Sequence, residues 1–326
     1  MFRAIFTAAL LALVPAVAGA QTCGTRNLIA ELNPQERARL DELVAPHPYS
    51  EGYLFRADKG EDSVIVLGTV HIPDPRLEPI VTRVRPYLEK VDLLVLEATS
   101  EDEAGIQALA ARKPEMFFIT EGPTLIDLLS PEDWNAVSDR LKALGVPSFL
   151  AAKFQPWYLS MTIAIPPCAL AAMQSGEKGL DRQLEIIARE AGIPLATLDD
   201  TETVLRIFAD EPIEKQLDGL RITLETQQSG EAPTSTLLQG YFDGRLRETW
   251  EFARIQLERS DIENTGEMFD EINQTLLIDR NENWEAALPD LITGKDVMIA
   301  VGGAHLSGES GVLRALERMG YEVSPL

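Results

Sequence analysis

Two copies of a Gly-x-x-His phrase constrain the fold of this chain most, because each follows a run of apolar, β-forming residues. The phrases are residues 68–71 (Gly-Thr-Val-His) and residues 302–305 (Gly-Gly-Ala-His), and they contain two of the three histidines. Strand ends in α/β sheets are where ligands and metals usually bind. Gly68 and Gly302 would let the backbone turn or a ligand approach closely. We therefore predict one bipartite site, whereas the third histidine, His47, is predicted to be a surface loop residue.

The apolar runs around the two phrases predict two strand–phrase–helix–strand units. Each unit is a βαβ unit, expected to be parallel and right-handed. The repeat fits either an internal duplication or two generic βαβ units. The sequence thus predicts an α/β fold with a mixed, largely parallel central sheet flanked by helices. The predicted strands are 53–57, 63–67, 91–97, 194–198, 296–301 and 321–325.

One α/β domain is predicted over residues 51–326, after an N-terminal arm at 21–50, and a large helical insert fills about 100–290. No Gly/Ser-rich or Pro-rich linker divides the chain. Within the insert, residues 156–173 predict one helix and residues 263–288 another, which Pro289 is expected to stop.

The first twenty residues have the organisation of a signal peptide. A positive start and the uncharged apolar run 4–17 precede Ala18-Gly19-Ala20, so cleavage is predicted after Ala20. The mature protein is then exported, to a bacterial periplasm by the shape of the signal. The run is too short and alanine-rich to indicate a membrane span, and no stable span is expected in the mature chain. A retained N-terminal anchor is the alternative.

Charge and cysteine content limit the class of protein further. The formal net charge of −23 argues against nucleic acid and anionic lipid as partners. Such acidity favours solubility, or alternatively steers a cation or basic substrate. Cys23 and Cys168 are the only cysteines. In an oxidising compartment they can form a disulfide, with two free thiols as the alternative.

One further residue that can take part in catalysis or metal binding, Glu97, lies at the end of an apolar strand. A carboxylate there usually has a task, because an unpaired buried charge is costly; a helix cap or surface turn is the simpler alternative. Two neutral imidazoles and a carboxylate form a common ligand set for a catalytic divalent metal. His71, Glu97 and His305 are therefore the predicted metal ligands, with coordination positions left for water and substrate.

Five short segments together resemble the TraB/GumN family, which is related to the Tiki metalloproteases. The resemblance extends from about residue 50 to the C-terminus. It implies an α/β core with a helical insert and a divalent-metal site built from two Gly-x-x-His motifs and a glutamate. The Tiki relationship implies peptide-bond cleavage with manganese or cobalt, and zinc is the alternative metal. The segments are residues 68–71, the strand ending at Glu97, 179–184, Arg280-Asn281 before Trp284, and 301–306.

The resemblance also implies roles for three more residues. Arg280 would hold a substrate carboxylate or stabilise a developing oxyanion, unless it forms a salt bridge to an acid such as Asp279 or Glu282. Asn281 would orient a water or the glutamate, or terminate a helix. Asp181 would support a histidine, although an Asp near a helix start more often caps the helix.

These observations favour an exported, metal-dependent hydrolase, a peptidase above all, with a peptide or small-molecule substrate. Glu97 would then be a ligand or a general base. The alternatives are a non-catalytic binding protein for a peptide or haem-like ligand, because haem-binding proteins are distant relatives of the family, and an envelope interaction protein with a vestigial site. The sequence defines neither the substrate nor the oligomeric state.

Overall fold

A computed structural model of the protein describes residues 23–260 and 262–326. The predicted signal peptide and its cleavage after Ala20 lie outside the described residues. The described strands are β1 Leu54–Lys59, β2 Asp62–Thr69, β3 Leu93–Leu96, β4 Leu195–Thr197, β5 Val297–Gly302 and β6 Glu322–Pro325.

Helices surround these strands and, apart from β4, make up most of the region between β3 and β5. Gln274–Ile278 is a π-helical turn, and Pro114–Met116 and Gly303–His305 are short 3-10 turns. The helices α1–α16 are, in chain order, Pro34–Val44, Leu77–Leu88, Ser100–Arg112, Leu125–Leu128, Pro131–Ala143, Ser148–Ala151, Pro156–Ala164, Pro167–Gln174, Leu180–Ala191, Thr201–Ala209, Ile213–Gln227, Ala232–Phe242, Leu246–Glu258, Thr265–Asn273, Asp279–Ile292 and Val312–Arg318.

The six strands form one sheet in the order β4-β3-β5-β2-β1-β6. β5 is parallel to both β2 and β3, β3 is parallel to β4, and β1 is antiparallel to its two neighbours. The predicted mixed, largely parallel sheet is therefore confirmed. β2 and β3 are not adjacent, because the late strand β5 lies between them: Ile299 pairs with Val66 on one side and Val95 on the other. The C-terminal ends of β2, β5 and β3 consequently lie side by side.

Both faces of the sheet are buried, which explains why its central strands are continuous apolar runs. On one face, Leu67 and Leu96 pack with the apolar sides of α2 and α9. On the other, Val66, Val95 and Ile299 pack with α15 and α16. Alternate residues of each strand thus belong to two separate core layers.

Two predictions about helices that contain or meet a proline were wrong. The helix predicted over 156–173 is broken into α7 and α8, because Ile165 precedes Pro166 and is held in an extended conformation (ψ 117°). Pro289, by contrast, does not stop α15, which continues to Ile292. The apolar side of α15 is buried beyond the proline, at Ile292, and this burial outweighs the hydrogen bond that Pro289 does not donate.

No single helix of the described segments has the length and hydropathy needed to cross a membrane. The bent pair α7 and α8, 77° apart, meets those criteria only when both helices are taken together.

The predicted disulfide between Cys23 and Cys168 is present, with 5.3 Å between the two Cα atoms and a sequence separation of 145. Both cysteines are buried in the core layer that contains α2 and α9. The bridge therefore fixes the start of the N-terminal arm to the beginning of α8.

Candidate functional site

The candidate site lies where the parallel strands β2, β5 and β3 end. His71 follows β2, Glu97 follows β3 directly, and His305 lies in the 3-10 turn after β5. The His305 Nε2 atom is 4.0 Å from Glu97 Oε1. All three side chains face one space above Gly302. A Cβ atom placed on Gly302 would be 3.0 Å from Glu97 Oε1, 3.7 Å from His305 Cδ2 and 3.9 Å from His71 Nε2.

The glycines of the phrases provide close approach rather than an unusual turn. Gly302 has φ −50°, which any residue adopts, so of the two predicted uses of this glycine, a turn and a close approach, the close approach is the one that applies. A Cβ atom on Gly68 would lie 3.0 Å from Gly303 Cα, and one on Gly303 only 2.4 Å from Leu246 Cδ1. The absence of a side chain on Gly68 therefore lets the two phrases pack against each other, that on Gly303 lets Leu246 of α13 pack on the second phrase, and that on Gly302 leaves space between the functional side chains.

His71 is oriented by Asp181, whose Oδ1 atom lies 3.0 Å from His71 Nδ1. Asp181 does not cap α9: the N-cap residue is Gly179, which has no side chain to form that bond. The start of α9 packs on the first phrase, since the Leu180 amide donates to the Val70 carbonyl at 2.9 Å. The hydrogen bond to Asp181 raises the pKa of His71 to about 9, and 64% of the His71 side chain is exposed.

His305 lies in the opposite environment, with only 5% of its side chain exposed. Its Nε2 atom is 3.0 Å from Arg280 Nη1. A guanidinium only donates, so Nε2 accepts, and Nδ1 carries the proton that is donated to Asn281 Oδ1 at 2.7 Å. Burial lowers the pKa of His305 to about 3, and the ring packs 4.3 Å from that of Trp284. Asn281 thus orients a histidine, a role that the sequence did not predict.

Arg280 connects the site with the helical insert. Its guanidinium donates from Nη2 to both Glu97 and Asp199, and from Nη1 to the Leu276 carbonyl. The alternative role, a salt bridge to an acid, is therefore present, but its partners are Glu97 and Asp199 rather than Asp279 or Glu282.

Asp199 is a site residue that sequence reasoning missed. It follows β4 by two residues, and it also accepts from Trp284 Nε1 at 2.8 Å. The rule that selected Glu97, an acidic residue at the end of an apolar strand, would have found Asp199 as well.

Glu97 is a fixed carboxylate at the centre of this arrangement. Its Oε1 atom accepts from the Gly302 amide and its Oε2 atom from Arg280. Burial alone would raise the pKa of Glu97, but the charges of Arg280 and His71 and the hydrogen bond from the Gly302 amide lower it to about 2. Glu97 is therefore ionised across the physiological range. The helix-cap alternative does not apply, because Thr99 caps α3, and the surface-turn alternative does not apply, because only 16% of the Glu97 side chain is exposed.

The residues provide the donor chemistry of a divalent-metal site, although the side chains are not in coordination geometry. No group of three His, Cys, Asp or Glu residues in 23–260 and 262–326 is arranged to hold a metal ion. Arg280 occupies part of the space between these side chains, because its guanidinium contacts both Glu97 and His305 Nε2. However, Asp181 and Asn281 hold the two Nδ1 atoms, as partners of metal-bound histidines do. Binding a cation would require Arg280 to release His305.

The third histidine does not belong to this group. His47 lies in a loop, as predicted, but it is half-buried, and its Nε2 atom is 2.8 Å from Arg247 Nη2. Burial lowers the pKa of His47 to about 4. Its environment is therefore that of a structural residue rather than a surface one.

The fold and the site define an α/β protein with two imidazoles and a carboxylate at adjacent strand ends. A model of the TraB/PrgY/gumN family matches residues 53–325. The chain belongs to this family, as its five motifs predicted. No curated protein matches the chain.

Proposed function

We propose that this protein is a divalent-metal-dependent hydrolase, specifically an exported peptidase of the periplasm. The observation that supports this is the convergence of His71, Glu97 and His305 on the space above Gly302. Manganese or cobalt is the proposed metal, by the family resemblance, with zinc as the alternative. Such a metal polarises a carbonyl and lowers the pKa of water enough to supply a nucleophile at neutral pH.

The protein side chains would divide the work according to their environments. His305 is neutral and held by Asn281, so its Nε2 lone pair is available once Arg280 moves. His71 is held by Asp181 on the exposed side. Glu97 is ionised, so it can either bind the metal or accept a proton from the attacking water as a general base.

Arg280 would supply positive charge to the reacting group. It lies beside Glu97 and His305 and is half-buried, where a guanidinium interacts strongly with a developing negative charge. Its forked donors also suit a substrate carboxylate. Asp199 would keep the guanidinium beside Glu97 after it has released His305.

The test is the metal content of the purified protein, together with hydrolysis of a peptide library in the presence of the bound metal. Near-stoichiometric metal is expected in the wild type and in His47→Gln, which removes a histidine outside the site. His71→Ala and His305→Ala should each lose the metal and the hydrolysis while circular dichroism shows an intact fold. Full metal occupancy in either of these variants would refute the shared site.

A second candidate is a binding protein without turnover, and the exposure of His71 favours it. An accessible imidazole with a carboxylate behind it is a suitable axial ligand for haem iron. Haem titration should then give a Soret band in the wild type that is absent in His71→Ala. Metal-dependent peptide hydrolysis without such a band would exclude this candidate.

A further inference from the structure

A cavity of about 550 Å³ lies within the helical insert, between α7, α10, α11, α13, α14 and the π-helical turn. Its walls are mainly apolar and include Trp157, Phe208, Ile222 and Ile272. Its volume is in the range of pockets that bind small ligands or side chains. None of the His, Glu and Arg residues of the candidate site lines it.

A glycine in the middle of a helix leaves this cavity open. Gly219 lines it from α11, and a Cβ atom added there would meet nothing within 4 Å. Glycine inside a helix is less stable than alanine. Packing does not require glycine at this position, whereas a larger side chain would occupy the cavity.

The charges on the lining have mostly one sign. Five lining residues are carboxylates and one is a lysine, Lys215. Lys215 is already paired with Glu271 at 2.7 Å. Glu263 and Glu267 are exposed and form no ion pair with another described residue. The apolar space is therefore bordered by uncompensated negative charge, which favours a ligand with cationic groups.

The cavity and the candidate site lie on two sides of the same π-helical turn. Leu276 lines the cavity, and its carbonyl accepts from Arg280 Nη1 at 3.1 Å. π-Helical turns are rare and often occur at functional sites. A ligand in the cavity would therefore contact the turn that supports Arg280.

From these observations we infer that the cavity binds a peptide segment in which apolar side chains alternate with Lys or Arg. The apolar side chains enter the space beside Gly219, and the cations lie at Glu263 and Glu267. This extends the proposed function by naming its substrate class, and it rests on that function only for what happens to the peptide after binding.

Binding is measured by calorimetry with Glu97→Gln, so that hydrolysis does not interfere. The probes are N-acetylated, C-amidated Leu-Lys-Phe-Lys-Leu and the same peptide with Glu in place of Lys. We expect the basic peptide to bind at least tenfold more tightly. Gly219→Phe, combined with Glu97→Gln, should weaken its binding at least tenfold, because the added ring fills the cavity.

Two matched variants control for the substitution itself. Gly219→Ala adds one methyl group and should bind as before. Gly105→Phe places the same ring at an exposed glycine of α3 that also has nothing within 4 Å, and it should leave binding unchanged. Thermal unfolding of each variant checks the fold. The pair Glu263→Gln and Glu267→Gln, which leaves the cavity intact, should remove the preference for the basic peptide.

The outcomes separate the two proposals. Undiminished binding in folded Gly219→Phe would overturn the cavity as the site, and equal affinity for the two peptides, or none for either, would overturn the ligand class. Cavity-dependent binding without metal-dependent cleavage would refute the hydrolase and leave this inference standing. Metal-dependent cleavage that Gly219→Phe leaves unchanged would support the hydrolase and refute the cavity as the binding site of its substrate.

Discussion

The two Gly-x-x-His phrases end in histidines with opposite environments. His71 is 64% exposed and its pKa is raised to about 9. His305 is 5% exposed and its pKa is lowered to about 3. The same local phrase thus presents one open and one buried imidazole to the same space. The difference shows that the phrase determines where the histidine lies, and the partner elements determine its chemistry.

The partner elements come from different parts of the helical insert. The first phrase meets the start of α9, which brings one carboxylate, Asp181, to the edge of an open face. The second phrase lies under α15, which provides an amide at Asn281 and a ring at Trp284. A ligand is therefore expected to approach from the His71 side, where most of the imidazole is exposed.

Removing Arg280 should cause the largest loss in the free energy of unfolding, and this loss tests the environment of His305. Arg280→Ala leaves the half-buried carboxylates of Glu97 and Asp199 facing each other without their cation. Breaking such a pair by removing one partner costs about 3–5 kcal/mol. Urea unfolding should show this loss, whereas Arg280→Lys, which keeps the charge but not the fork, should lose less. Equal stability of Arg280→Ala and the wild type would show that the network does not support the second phrase.

Removing the disulfide tests the region of the first phrase, next to His71. Cys23 and Cys168 lie in the core layer of α2 and α9, together with Val70 next to His71. The double variant Cys23→Ser, Cys168→Ser should lower the free energy of unfolding by about 2–4 kcal/mol. Hydrogen exchange should increase at the start of α9 more than in α15. A uniform increase in both helices would contradict the separation into two layers.

The comparison also shows what the sequence could predict. The strand ends, and hence His71, Glu97 and His305, followed from local apolar runs, because a buried strand has a recognisable composition. The insertion of β5 between β2 and β3 depends on contacts over more than two hundred residues, which local patterns do not encode. The same reason explains the role of Asn281: its partner His305 comes from a different element, so neighbouring residues give no signal.

Truncating the two histidines should affect stability unequally. His305→Ala removes a buried ring and leaves Asn281 without its donor, which should cost about 2–3 kcal/mol. His71→Ala removes an exposed ring and a single contact to Asp181, which should cost less than about 1 kcal/mol. Denaturant unfolding of the metal-free proteins measures both. Equal losses would mean that the two environments do not differ in solution as they do in the structure.

The smallest expected effect is on the pH dependence of stability, with opposite signs for the two histidines. His71 has a folded-state pKa near 9 against an ordinary value of 6.5. Its contribution is fully present below pH 6.5 and is lost as the pH rises through 9, because the folded state alone keeps the proton in that window. His305, with a pKa near 3, does the reverse: below pH 6.5 the unfolded chain takes up a proton that the folded state excludes, so stability rises with pH up to 6.5.

Single substitutions separate these two slopes in chelator-treated protein. Between pH 5 and 6.5 most carboxylates are already ionised, so His305→Gln should flatten the rise in that window and leave the region above pH 6.5 unchanged. His71→Gln should flatten the fall between pH 6.5 and 9, by a modest amount because water screens an exposed ring. Asp181→Asn keeps the histidine and should have the same effect as His71→Gln, since the carboxylate is what raises the His71 pKa. If His71→Gln instead altered the slope below pH 6.5, the two histidines would not have the distinct environments that their partner helices impose.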